Sequence, residues 1–414
     1  MLKIKEILQA KKKFDKNIVL HTPLEYNQSL SEKYGAKIYI KREDQQIVRS
    51  YKIRWAFNFI NSLSLEDRKF GVVVASAGNH AQGIALTCNK LGVKWTIFMP
   101  QTTPSQKVRK TKKFGGEWIE VVLVWDTFDE AFYKSKEFCD KKGAIFVHPF
   151  DDLKVITGQA TLWFEIIEDI PEDEINYLVL PIGGGGIASG VGTIFKELSP
   201  ITKVIGVESS KSASMYESIK QKNVVELPSI WTFADGVAVK KPWKYCFQIA
   251  SQVVDKFDIV DDGLTATTML GLLDDQWIIV EPAGALSIAY LETIKDKIKW
   301  KTIVCVISGW NFDFSRLPEV EEKSLKYLDL KRYYVISFPQ RPGALKEFLG
   351  VLGKGDDVVY FEYMKKTAKE RGPALVGIQT DNSSNFQKIE KSMQKKSIVF
   401  EDITNKELYF DLLI

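Results

Sequence analysis

Short apolar, β-branched runs recur along most of the chain, separated by stretches whose apolar positions return every three or four residues. The runs are VVVASA (72–77), TIFMP (96–100), WIEVVLV (118–124), IFVHPF (145–150), YLVLPIG (177–183), KVIGVES (203–209) and KTIVCVIS (301–308). Between them lie helical patterns such as HAQGIALTCNKLG, SQKVRKTKKFGG and TFDEAFYKSKEFCDKKG. Apolar strands alternating with helices predict an α/β protein with buried, largely parallel sheets. No unit repeats at the spacing of about 20–50 residues that marks a solenoid.

Around residues 314–330 the pattern changes. FSRLPEVEEKSLKYLDL reads as a charged connector, and beyond it the order is strand (RYYVISFP), helix (PGALKEFLGVLG), two strands (VVYFEYMKK, ALVGIQT), helix (NFQKIEKSMQKK) and strand (IVFEDI). That βαββαβ order predicts a ferredoxin-like module, a plan often used for binding or regulation.

A chain of 414 residues has room for two or three domains with sizeable cores. Its net charge of +4 is small against 57 basic and 53 acidic residues, and no basic stripe interleaves with aromatics. Nucleic acid is therefore not an expected partner. Cys88, Cys139, Cys246 and Cys305 are scattered without CxxC spacing and read as the reduced thiols of a cytoplasmic protein. The N-terminal MLKIKEILQAKKKFDKN has helical periodicity but not the apolar core of a signal peptide, and no later run is long enough to span a membrane.

Four segments carry candidate chemistry. Lys52 stands in VRSYKIR, just after the strand-like IYIKRE; alone it would be an ordinary surface lysine. ASAGNHAQG (75–83) ends a strand in small and polar residues and opens a helix, so its N–H groups, with Ser76 and Asn79, suit an anion such as a carboxylate, or merely cap the helix. Gly183, Gly184, Gly185 and Gly186 let backbone approach a phosphate ahead of the helix ASGVGTIFKEL; the cluster matches neither common nucleotide-binding glycine pattern. Ser308, in VISGWN, ends a buried strand and can present a hydroxyl to a ring nitrogen. A reactive lysine with a phosphate-cradling glycine loop is what a pyridoxal-phosphate enzyme requires.

Taken together these segments resemble the fold type II (tryptophan-synthase-β-like) pyridoxal-phosphate enzymes, and within them the biosynthetic threonine dehydratases. HTPL, KRED, VRSYKIR, ASAGNHAQG, DTFDEA, GQAT, PIGGGG, ADGVAVK, VEPAGA, SGWN, FPQRPGAL and RGPALVGI carry the likeness along nearly the whole chain. The resemblance implies a large cofactor-binding domain (1–52 and 154–322), a small α/β domain (53–153), a linker (323–330) and an ACT-like regulatory domain (331–414). It implies that Lys52 is the Schiff-base lysine, that Asn79 meets the cofactor's phenolic oxygen, that Gly183 to Gly186 hold its phosphate and that Ser308 faces the pyridine nitrogen. Ser76, Ala77, Gly78 and His80 would line the substrate carboxylate, and Glu281 would lie near the ring and the substrate side chain.

The implied reaction is β-elimination. Threonine, and with it serine, displaces Lys52, whose freed amine takes the Cα proton; the β-hydroxyl leaves, and hydrolysis gives 2-oxobutanoate and ammonia, the first step of isoleucine biosynthesis. Burial has to lower the lysine pKa for this. Ala77 stands where the racemases carry a basic serine, which argues for elimination. The tail implies isoleucine as effector, and the relatives imply a homo-oligomer, usually a tetramer. The alternatives are serine dehydratase, threonine synthase, or a non-catalytic amino-acid sensor. A cation near Glu208 and Asp235 is a looser analogy.

The ten tryptophans depart from the family. The dehydratases carry glycine at the positions of Trp55, Trp125, Trp243 and Trp310, and the same is expected at Trp163, Trp277 and Trp300. Trp243, after Pro242, is expected in a turn with positive φ, and Trp300 in a helix-to-strand turn. Two explanations follow: divergence that partly fills the pocket with indoles and alters or abolishes activity, or, since the changes all run from one residue type to one other, a UGA codon that the source decodes as glycine.

Overall fold

In the computed structural model the described residues are 2–76, 78–124, 128–146, 152–171, 174–363 and 370–406. They form two compact units, Met1–Phe314 and Ser315–Ile414. Among the described residues no helix is long and apolar enough to cross a membrane.

The first unit contains two sheets. Strands β1 (Leu24–Tyr26), β2 (Lys37–Arg42), β7 (Tyr177–Pro181), β8 (Lys203–Ser209), β9 (Lys256–Val260) and β10 (Thr302–Ile307) pair in the order β1-β2-β10-β7-β8-β9, parallel except for β1. Strands β3 (Val72–Ala75), β4 (Trp95–Met99), β5 (Ile119–Leu123) and β6 (Ile145–Phe146) form a parallel sheet ordered β5-β4-β3-β6. All seven apolar runs became strands where they are described; residues 147–150 of IFVHPF lie outside the described residues. Both sheets are covered by helices, so the runs are apolar throughout rather than alternating. One core gathers Leu178, Leu180, Val204, Val304 and Val306 with Ile156, Val191 and Phe195 of the flanking helices. A second gathers Val72, Val74 and Ile97 with Ile84, Ile60 and Trp55.

The second unit is an antiparallel sheet of β11 (Lys331–Pro339), β12 (Asp356–Tyr363), β13 (Arg371–Thr380) and β14 (Val399–Asp402), ordered β12-β13-β11-β14. Helices Ala344–Leu349 and Ser384–Lys395 complete the βαββαβ order and seal a core of Tyr334, Ile336, Phe348, Val376, Ile378 and Phe386. The charged stretch expected as a connector is instead helical over Leu317–Tyr327, with Pro318 in its first turn and Val320 buried. Pro is well placed there because that N–H has no helical partner.

Two tryptophans take the backbone of a glycine. Trp277 caps helix Asp262–Gln276 at φ 56, and Trp300, in the turn before β10, has φ 63. The expected positive φ at Trp243 is not found: it is extended (φ −86, ψ 150) and precedes helix Lys244–Val253, a geometry any residue adopts. Trp125 lies outside the described residues.

Candidate active site

Lys52 is the first residue of helix Lys52–Asn61. The chain reaches it from β2 through a segment tied to the end of β10: Ser50 bridges Gly309, and the Tyr51 N–H donates to Ser308 O at 3.1 Å. Lys52 and Ser308 are thereby held side by side although 256 positions apart in sequence (308 − 52). A small cavity is lined by Lys52, Gln159, Gly183, Gly184, Gly185 and Gly186.

The glycines are required there by space and by backbone. Gly185 has φ 92 and precedes helix Gly186–Leu198, a conformation that side chains oppose. A Cβ at Gly183 would stand 2.8 Å from Val237 O, one at Gly185 2.6 Å from Met215 Cε, and one at Gly186 2.5 Å from Gln159 Oε1. The result is a side-chain-free cradle at the positive end of a helix, beside a buried amine, which suits a phosphorylated aldehyde. Gln159 Oε1 is buried without a partner among the described residues; turning the amide presents an N–H to the cradle. The residues present therefore fit pyridoxal phosphate.

Burial holds the Lys52 ammonium pKa down to about 8, against the opposing pull of Glu281 and Cys246. The amine is nucleophilic only when neutral, so covalent capture of the cofactor aldehyde by the cofactor-free protein should accelerate as pH rises through about 8. An ordinary lysine would show its midpoint near 10.4. Stopped-flow absorbance on adding pyridoxal phosphate between pH 6 and 11 measures it; a midpoint near ~10 contradicts the buried amine.

Asn79 opens helix Asn79–Leu91, and its side chain faces inward rather than toward an anion. Its Nδ2 donates to Glu281 Oε1 at 2.6 Å, and its Oδ1 accepts from Asn311 Nδ2. The Ser76 N–H donates to Phe98 O at 3.0 Å, which leaves its side chain as the group that could meet an anion. Gly78 immediately precedes the helix, and His80 is buried, its ring stacked on Trp55 at 4.2 Å between centroids. Ala77 lies outside the described residues. Ser308 Oγ donates to Ala283 O at 3.3 Å, a long bond. The Glu281 carboxyl is pushed up to about 7, by burial first and then by Asp235; Lys107, Asn79 and Lys52 pull the other way.

Among the described residues no group of three or more His, Cys, Asp or Glu side chains could hold a metal ion, and the two carboxylates suggested by analogy have other partners. Asp235 is ion-paired with Lys107, while Glu208 accepts the N–H groups of Met215 (3.1 Å) and Tyr216 (2.6 Å) at the start of helix Ser214–Gln221. Burial holds the Glu208 carboxyl up to about 8.

Behind the site is a buried ionic network. Arg54, fully buried, binds Glu43 (Nε–Oε2 2.8 Å, Nη2–Oε1 2.7 Å) and Glu165 (both contacts 2.7 Å), and Lys41 joins Glu165 at 2.7 Å. KRED supplies two of these charges, Lys41 from β2 and Glu43 from the 3-10 turn that follows it. Asn311, Gln159 and Glu165 were not singled out from sequence; Asn311 and Gln159 lay within SGWN and GQAT, but nothing local revealed their partners.

Residues 16–309 match the pyridoxal-phosphate-dependent enzyme family, and residues 322–413 match the C-terminal regulatory domain of threonine dehydratase. The biosynthetic L-threonine dehydratase IlvA of Halalkalibacterium halodurans is 48% identical over 414 residues, covering 100% of this chain and 99% of its own. The chain belongs to the biosynthetic threonine dehydratases. Their Bacillus subtilis member is 46% identical over 415 residues, covering 100% of this chain and 98% of its own. The processed form of threonine deaminase isoform 2 from Solanum lycopersicum superposes with a TM-score of 0.74 at 38% identity, covering 78% of this chain and 93% of that one. Maize serine racemase gives 0.71 at 29% identity, covering 78% and 98%. As a member of this family the chain uses pyridoxal phosphate.

Proposed function

We propose that this dehydratase eliminates water from L-threonine, and also acts on L-serine, and that water then returns in hydrolysis to release ammonia and, from threonine, 2-oxobutanoate in isoleucine biosynthesis. The observation that carries the reading is the buried Lys52 amine sharing one cavity with four side-chain-free residues at a helix start. Bound pyridoxal phosphate supplies an aldehyde for the substrate amino group and a conjugated ring that withdraws electrons from Cα. Gly183 to Gly186 and the first N–H groups of the following helix hold its phosphate. Lys52 would hold the cofactor's aldehyde, and as a neutral amine would take the Cα proton of the substrate.

Asn79 would hold the cofactor's ring hydroxyl, and Ser308 would hold its ring nitrogen. A hydroxyl does not force that nitrogen to stay protonated, which limits the electron sink and favours loss of the β-hydroxyl over misplaced reprotonation. Ser76, Ala77, Gly78 and His80 surround the substrate carboxylate, and Glu281 borders its side chain. The chain works as a cytoplasmic homo-oligomer, a tetramer, and its C-terminal unit takes isoleucine as effector. The four cysteines, all buried, support a reducing compartment.

The test is 2-oxobutanoate release from threonine and pyruvate release from serine, each with and without isoleucine. Threonine should give the higher kcat/KM, and isoleucine should lower it. A polypeptide that binds the cofactor covalently yet turns over neither substrate overturns the reading.

A further inference from the structure

We propose that Asn311 is a positioning residue that decides which atom of Asn79 faces the cofactor. An asparagine amide can sit either way round, and its partners decide the choice. A backbone carbonyl only accepts, so Val48 O, 2.9 Å away, forces Asn311 to present Nδ2. The second hydrogen of that same Nδ2 meets Asn79, which must therefore answer with Oδ1. Asn79 is left with Nδ2 on its far side, where one hydrogen goes to Glu281 Oε1 at 2.6 Å and the other, on the reading above, goes to the cofactor. A fixed main-chain carbonyl is thus relayed through two amides to a single oriented N–H donor. Asn311 is 7% exposed, so water does not compete for the relay. The inference rests on the reading above, in which Asn79 donates to the ring hydroxyl.

The experiment titrates cofactor-free protein with pyridoxal phosphate, reading the dissociation constant and the position of the visible band. Asn311→Asp places acceptors against both Val48 O and Asn79 Oδ1, and Asn311→Ala serves if that variant does not fold. Either should weaken cofactor affinity about tenfold or more, the usual scale for a residue that orients a ligand-bearing side chain, and should shift the band. Adding either change to Asn79→Ala should cost nothing further, since the relay is already cut. Additive losses, or a lowered Tm with affinity and band unchanged, overturn the proposal. Borohydride labelling of Lys52 in the unsubstituted protein separates the two levels: its absence sinks the cofactor reading itself, whereas a labelled lysine with an additive cycle sinks only the role of Asn311.

The backbone at two further positions carries an independent inference. Trp277 sits at φ 56, its N–H returning to Leu273 O and that of Ile278 to Leu272 O, both at 3.0 Å. This is the left-handed helix ending that Gly35 and Gly92 take elsewhere, and Lys222 at one other helix end. Trp300 has φ 63, with its N–H on Gly35 O at 2.8 Å. A bulky side chain at such angles is a genuine outlier, and these indoles are 85% and 93% exposed, so burial does not compensate. Buried Trp55, Trp95 and Trp163 have indole N–H groups without partners among the described residues.

We infer that positions 277 and 300 are glycine in the native polypeptide. Mass spectrometry of peptides spanning both positions, from protein isolated from its source, should give glycine masses; tryptophan there overturns the inference. In recombinant protein, Trp277→Gly and Trp300→Gly should each raise the Tm, and an unchanged or lower Tm counts against it.

Discussion

Lys52→Ala protein should fold, bind pyridoxal phosphate only reversibly and lose turnover. Removal of a general base alone costs roughly 10²–10⁴-fold in rate, and loss of covalent capture adds to it. The substitution does not cut the supports of the pocket. The glycine cradle, the Asn79 relay and the tie between Tyr51 N–H and Ser308 O use other atoms. Taking a desolvated amine out of the interior also removes a burden from the fold, since burial opposes its charged form. The measurement pairs 2-oxobutanoate release with borohydride reduction and peptide mapping. A variant that keeps near-normal turnover, or a pyridoxyl label on some other lysine, would show that the reactive amine has been misassigned.

Arg54→Met should be the most damaging change to stability at a residue outside the cavity. Arg54 neutralises Glu43 and Glu165, both buried, and only Lys41 would remain to balance two carboxylates. Breaking a buried pair from one side costs about 3–5 kcal/mol, because the abandoned charge cannot reach water. Burial alone would raise the Glu165 carboxyl, but Arg54 and Lys41 outweigh it and hold it down to about 2. Without Arg54 that carboxyl rises and accepts a proton in the folded chain. The folded variant then binds more protons than the unfolded one near neutrality, so its deficit should shrink as pH falls from about 7 toward 5. Urea denaturation of cofactor-free protein across that range measures both effects; a deficit under ~1 kcal/mol, typical of an exposed pair, would contradict the network.

Local pattern carried much of the fold. The seven apolar runs and the βαββαβ tail were legible because a buried parallel strand is apolar throughout and a helix returns to its buried face every three to four residues. The short edge strand β1 and the half-exposed β9 were not, since neither has a continuous apolar run. The helix over Leu317–Tyr327 was hidden by its charge, with Val320 its one buried apolar residue. At the site, Lys52 and the glycines could be named from residue type and spacing. Their partners could not: Arg54 meets Glu165 across 111 positions and Asn311 meets Asn79 across 232, and no local pattern encodes such distances. The Trp243 expectation failed because Pro-Trp here leads straight into a helix, where an extended residue suffices.

Lys52 and Arg54 belong to the first turn of one helix, two residues and therefore roughly 200° apart around its axis. One side of this short rod is bolted by charges into the interior, and the opposite side offers the amine. Anything that prises the bolts loose tilts the amine away from its vitamin, and a firmly held vitamin braces the bolts in return. Heat tolerance and retention of vitamin B6 are in this architecture a single heritable trait.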